Sequence, residues 1–237
     1  MEAVGVVLVV IVLVALVCVG LYYAHKAEKE RTEALRTIAR ENGWTFNSVQ
    51  DSAHASIYKA FGVFSRGHSR RALNTIEGGV TINGHPHHLK MGDYEFKETT
   101  RNGKQSQTTN YRFSYLCLHL PYMDIPDLFI RREHFFDKIG AALGFDDIDF
   151  ESAEFSRTFH VSASDKRFAY DVISPAMMEF LLASPKVGVE MRTGIICVQA
   201  GFVRWKPPEF LSNLAWVYQF IDRWPDHVIH GLHERNR

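Results

Sequence analysis

Hydrophobic and polar positions split the chain into two unequal parts. Residues 3–24 read AVGVVLVVIVLVALVCVGLYYA, without a charged side chain. As a helix at about 1.5 Å per residue, the run spans roughly 33 Å, enough to cross a hydrocarbon core of about 30 Å. It is apolar all round and lacks the one-sided stripe of a surface helix. A cleaved signal peptide would have a basic start, a shorter apolar core and a small-x-small cleavage site. Here only Met1 and Glu2 precede the run, and Tyr22-Tyr23-Ala24-His25-Lys26-Ala27 lacks that spacing. The pattern predicts an uncleaved transmembrane helix over 3–24, with residues 1–2 as a short extracytoplasmic start.

Residues 25–43 continue as a charged helical stalk. Ala27, Ala34, Leu35, Ile38 and Ala39 form a thin apolar stripe on it. Asn42-Gly43 supplies a stop, because glycine tolerates φ > 0. The stripe either docks the stalk on its own domain or pairs it with a second copy as a short coiled coil, which would make a homo-oligomer.

From Trp44 the periodicity changes, and 44–225 reads as a soluble domain. A strand at 44–46 and a helical piece at 56–61 are followed by a polar, basic connection at 65–71. A β-meander comes next, with strands at 72–78, 88–98 and 110–120. Asn83-Gly84 is a hairpin turn signal, and 99–109 is a polar loop. The second half of the last strand is apolar on both faces, which places it centrally in a sheet. Beyond it, strands are expected at 128–131, 149–151, 157–162, 187–192, 194–199 and 202–205. Helices are expected at 133–143, 165–172, from Ser174-Pro175, and from Pro207-Pro208 to Pro225. Residues 226–237 read as a tail. Meanders mixed with helices, without regular βαβ alternation, indicate an α+β fold. A second lobe starting near residue 125 is the alternative to a single domain.

Charge bears on location and partners. The chain carries 27 Lys+Arg and 27 Asp+Glu, a balance that offers no general attraction for nucleic acid. Lys26, Lys29, Arg31, Arg36 and Arg40 follow the apolar run and no Lys or Arg precedes it. The positive-inside rule then puts the N-terminus outside the cell membrane and the domain in the cytoplasm. Three cysteines are an odd, sparse set, unlike a disulfide framework.

Candidate chemistry is thin. Arg66, Arg70 and Arg71, beside Gly67, offer an anion or lipid-headgroup site near the membrane. Asp147, Asp149 and Glu151 share one face of an extended segment within the acidic cluster Asp146–Glu151, and oxygens of this kind suit a hard cation. The spacing does not match an EF-hand, and a solvated acidic face explains the pattern equally well. His85, His87 and His88 cluster at a turn but fall on different faces, which is poor zinc geometry. Gly67-His68-Ser69 lacks the final glycine of a nucleophile elbow, since position 71 is Arg. Cys117 and Cys197 read as small core residues. There is no Walker loop and no G-x-G-x-x-G.

Four stretches carry a resemblance: Phe64-Ser65-Arg66-Gly67-His68-Ser69-Arg70-Arg71-Ala72, Gly92-Asp93-Tyr94-Glu95-Phe96, 143–152 (LGFDDIDFES) and Phe155-Ser156-Arg157. Their order after an N-terminal anchor resembles an uncharacterised family of bacterial single-pass membrane-anchored proteins, over about residues 30–222. The resemblance implies a bacterial cell-membrane setting and transfers no site.

The expected function is a membrane-tethered, non-catalytic binding or scaffold domain with a protein or lipid partner and no cofactor. The alternatives are a cation-dependent enzyme using Asp146–Glu151 and a headgroup-binding module using Arg66, Arg70 and Arg71.

Overall fold

In the computed structural model, residues 2–103, 105–132, 145, 147–185 and 187–236 are described. One helix, α1 (Glu2–Glu41), contains both the apolar run and the stalk without a break. It ends where the notion of a glycine stop requires, with Gly43 at φ +69°. Strand β1 (Thr45–Asn47) follows, then two helical turns, α2 (His54–Ile57) and α3 (Gly62–Ser65). The meander is β2 (His68–Ile82), β3 (His85–Asn102) and β4 (Gln105–His119). Then come β5 (Leu128–Arg132), α4 (Ala153–Thr158), β6 (Phe159–Ala163), α5 (Lys166–Val172) and α6 (Pro175–Ala183). The chain finishes with β7 (Gly188–Arg192), β8 (Ile195–Gln199), α7 (Pro207–Asp222) and α8 (Asp226–Arg235).

Among the described residues, eight strands form one antiparallel sheet in the order β1-β2-β3-β4-β8-β7-β5-β6. Because side chains alternate across a strand, each face has its own core. Leu89, Met91, Leu116, Leu118, Val189, Met191, Ile196 and Val198 point to the face covered by α1 and the later helices. Tyr94, Phe96, Phe113, Tyr115, Cys117 and Cys197 point the other way, onto Ala55, Tyr58, Phe61 and Phe64. The sheet continues across residue 125, and residues on either side of it share one core.

Several boundaries differ from the sequence reading. The basic connection is half strand: β2 begins at His68, three residues after the end of α3. The loop expected at 99–109 is instead the end of a long hairpin, paired from Glu98↔Thr109 to Asn102↔Gln105. Polar Thr and Gln residues hid it, although threonine is a good strand former. No strand forms at 202–205, where Val203 O accepts a single bond from Ser114 N (3.1 Å). None forms at 149–151 either. Residues 153–158 are helical because Ser152 caps them, its hydroxyl accepting from Phe155 N (3.2 Å). The tail at 226–237 is largely α8, whose Val228 and Leu232, one turn apart, are buried. The helix expected at 133–143 lies outside the described residues.

Of the stalk stripe, Leu35 and Ala39 are fully buried against the chain's own domain, with Ile38 packed beside them. Ala27 is exposed. The C-terminal part of the stripe is thus covered within one chain. Among the described residues one helix, the N-terminal one, is long and apolar enough to cross a membrane.

Candidate functional site

The most heavily charged interior of the molecule lies where α1 meets the sheet. The alternation of Gly92-Asp93-Tyr94-Glu95-Phe96 sends Tyr94 and Phe96 into one core and leaves Asp93 and Glu95 facing α1. Both acids are almost wholly buried, Asp93 with 2% of its surface exposed and Glu95 with 1%. Charges so placed must be paired to be tolerated.

Arg31, on the first turns of α1 beyond the apolar run, provides the main partner. Its Nε and Nη2 donate to Asp93 Oδ2 (2.8 Å) and Oδ1 (2.6 Å), a planar fork on a carboxylate. Its Nη1 donates to Trp205 O (2.5 Å). Asp93 also accepts from Ser114 Oγ (2.7 Å), Asn74 Nδ2 (3.3 Å) and Arg204 Nη2 (3.1 Å). Arg204 holds Glu28 with both terminal nitrogens, Nη2 lying 2.9 Å from Oε2. Thr32 Oγ1 donates to Asn74 Oδ1 (3.1 Å). Further out, Arg112 Nη1 is 3.5 Å from Glu28 Oε1 and its Nε is 2.8 Å from Glu95 Oε2. Arg71 Nε donates to the other oxygen of Glu95 (2.6 Å) and Nη1 to Gln50 Oε1 (2.8 Å).

The electrostatics follow from this wiring. Burial alone would push the Asp93 carboxyl up, but the Arg31 fork and the charges of Arg31 and Arg204 outweigh it and hold the group below its ordinary value. The bond from Arg204 likewise lowers Glu28. Arg204 is raised: its burial opposes the charge, but Glu28 and Asp93 more than compensate.

A cleft of about 250 Å³ opens among these groups, lined by Glu28, Arg71, Asp93, Glu95, Arg112 and Arg204 with neutral neighbours. Each of these charged groups already faces one of opposite sign. What such an arrangement does chemically is clamp: it joins Glu28, Arg31 and Thr32 of α1 to β2, β3, β4 and the loop before α7.

The arginines singled out from the sequence separate. Arg71 belongs to this clamp. Arg66 lies on the opposite face of the sheet, bonded to Glu98 (2.7 and 3.0 Å) and stacked over Phe202 and Phe96. Arg70 is exposed, with Nη1 donating to Ser65 O (2.7 Å). The bulge between His68 and Arg71 breaks strict alternation in β2 and sends the three in different directions.

In the acidic cluster Ile148 and Phe150 are buried while Asp147, Asp149 and Glu151 face solvent. Asp147 Oδ1 accepts from Ile148 N (3.0 Å) and Val161 N (3.2 Å), and Oδ2 lies 3.1 Å from His160 Nδ1. Asp146 lies outside the described residues. No group of three or more potential ligands converges among the described residues. His87 Nδ1 lies 3.0 Å from His119 O, and the rings of His85 and His88 face His233 and His119 respectively. Cys117 and Cys197 are buried partners across β4 and β8, and burial pushes the Cys197 thiol up.

Glu28, Arg31, Asp93, Glu95 and Arg204 were missed because their partners lie up to 176 residues apart. One signal was available: Asp93 and Glu95 alternate with aromatic residues in mid-strand, so they face a packed surface and need cations there.

No family model matches the chain, and no curated protein does. Among solved structures, the fold is similar to the crystal structure of the mycobacterial trehalose monomycolate transport factor A, TtfA, with a TM-score of 0.52 at 11% sequence identity. The match covers 82% of this chain and 96% of that one. At that identity the likeness is one of fold, an α+β chain with a large antiparallel sheet.

Proposed function

We propose that this chain is a single-pass, membrane-tethered binding or scaffold protein without catalytic activity, whose soluble domain is presented at the membrane in a fixed orientation. The observation that carries this reading is the buried clamp. A domain that only needed retention at a membrane could hang from a flexible linker. Here the helix that follows the apolar run is instead built into the fold through Arg31 and Asp93. Residues 3–24 serve as the anchor and 25–43 as the rigid connection to the domain. The basic residues that follow the span support a cytoplasmic domain. The transport factor whose fold it resembles has a name that suits an accessory role, and this chain is assigned a role of that general kind.

Crosslinking the full-length protein in intact bacterial membranes, followed by mass spectrometry, tests the reading. A protein partner recovered at near-unit stoichiometry, and lost with Asp93→Ala in chain that is still inserted, is the expected result. Recovery of the same partner with the Asp93→Ala protein would remove the need for a fixed orientation. Turnover of a small molecule by the purified protein would overturn the non-catalytic assignment.

A further inference from the structure

The clamp fixes more than the helix. Glu28 lies level with Arg112, which pairs across the sheet with Glu95, and Arg36 lies over Phe46, level with Ile76 and Met91. Eight helical residues, about 12 Å, thus match four strand residues, about 13 Å. Helix α1 therefore runs antiparallel to β3 and nearly along it. From Glu95 the strand continues seven residues to its tip at Asn102, about 23 Å. From Glu28 the helix needs only four residues, about 6 Å, to reach Ala24 and the apolar run. The hairpin of β3 and β4 outreaches the start of the membrane span.

This projecting part has unusual exposure. Beyond Lys97, β3 has no pairing with β2, and before Tyr115, β4 has none with β8. Residues 98–103 and 105–109 form a two-stranded ribbon with both backbone edges open, held at its base by Arg66 on Glu98 and by His68 Nε2 3.0 Å from Thr99 Oγ1; its outer part is of a form that is marginal in water without support. Its backbone and its Thr, Ser and Gln side chains exclude it from hydrocarbon. Strand twist carries such a ribbon sideways from a neighbouring helix. The level left to it is the headgroup layer.

We infer that the β3–β4 hairpin lies on the membrane surface and binds anionic phospholipid headgroups through Lys97 and Arg101. Lys97 and Arg101 alternate onto the α1 side of the ribbon with Thr99, Ser106 and Thr108 and with no acid among them. Glu98, on the other side, is already paired with Arg66. Each cation near an anionic surface is worth about fivefold in binding, so the two together give roughly 25-fold. This inference rests on α1 crossing the membrane.

The test uses full-length protein reconstituted in vesicles of phosphatidylcholine with or without phosphatidylglycerol. A spin label is placed either on native Cys18, or at S106C in a Cys18→Ser background, and its depth is read from oxygen and nickel-chelate accessibility. The expected result is hydrocarbon depth for Cys18 and headgroup depth for position 106 in phosphatidylglycerol vesicles. Position 106 should move toward water in phosphatidylcholine alone. The double variant Lys97→Gln, Arg101→Gln should lower the bound-to-free ratio by roughly 25-fold. Bulk-water accessibility at 106 in both lipids, with Cys18 in hydrocarbon, would overturn the headgroup contact and leave the anchor intact. Water at Cys18 would overturn the anchor and the contact together.

Discussion

Asp93 carries the largest share of the clamp, and its removal should be costly. Asp93→Leu leaves Arg31 and Arg204 in a buried site without their carboxylate. Loss of one partner from a buried pair costs about 3–5 kcal/mol, and denaturant midpoints would read it. The double variant Arg31→Met, Asp93→Leu should recover part of that loss, since two apolar side chains leave less uncompensated charge. His54 sets an acid limit. It is fully buried among Tyr58, Phe64, Tyr94 and Tyr115. Burial first, and then the charge of Lys90, push its pKa down to about 3. The unfolded chain takes up this proton near pH 6.5 while the folded chain refuses it. The contribution of His54 is therefore whole above about pH 6.5 and is lost as the pH falls toward 3. Glu190 runs the other way, because burial raises it from 4.5 to about 7. Its contribution is whole below about pH 4.5 and fades as the pH rises through 7. Denaturant midpoints measured between pH 4 and 7 should show His54→Phe flattening the acid loss and Glu190→Gln flattening the opposite one.

At the level of elements, α1, the proposed anchor, is also part of the domain core. Leu35 is fully buried in the main hydrophobic cluster, so Leu35→Ala should cost about 2–5 kcal/mol by calorimetry or denaturation. Gly67 governs where the hairpin starts to separate from β2. It has φ +60°, and a Cβ there would meet Lys97 O at 2.2 Å. Gly67→Ala should cost at least about 1–2 kcal/mol from the backbone alone and displace the start of β2. These elements were unequally legible. The apolar run, the Asn83-Gly84 turn and the proline starts of α6 and α7 are local signals, and all are where they point. Both turn residues have positive φ, 50° and 78°. The hairpin tip was hidden by polarity, and α8 by having only Val228 and Leu232 to mark its inner face. The clamp was hidden by distance in sequence, because Arg31, Asp93 and Arg204 each look like ordinary surface charges when read alone.

For the whole molecule, one sheet with a core on each face and an N-terminal helix continuous into the domain favour a fixed relation between the domain and the proposed anchor. That rigidity separates a presenting scaffold from a tethered domain free to reorient. The direct measurement is a distance distribution by double electron–electron resonance in nanodiscs, with labels at A24C and E151C in a Cys18→Ser background. Both positions are exposed. A single narrow distribution, broadened by Asp93→Ala, is the expected result. An equally broad distribution in the parent protein and in Asp93→Ala would mean that the stalk hinges freely, and would contradict the fixed presentation of the domain at the membrane.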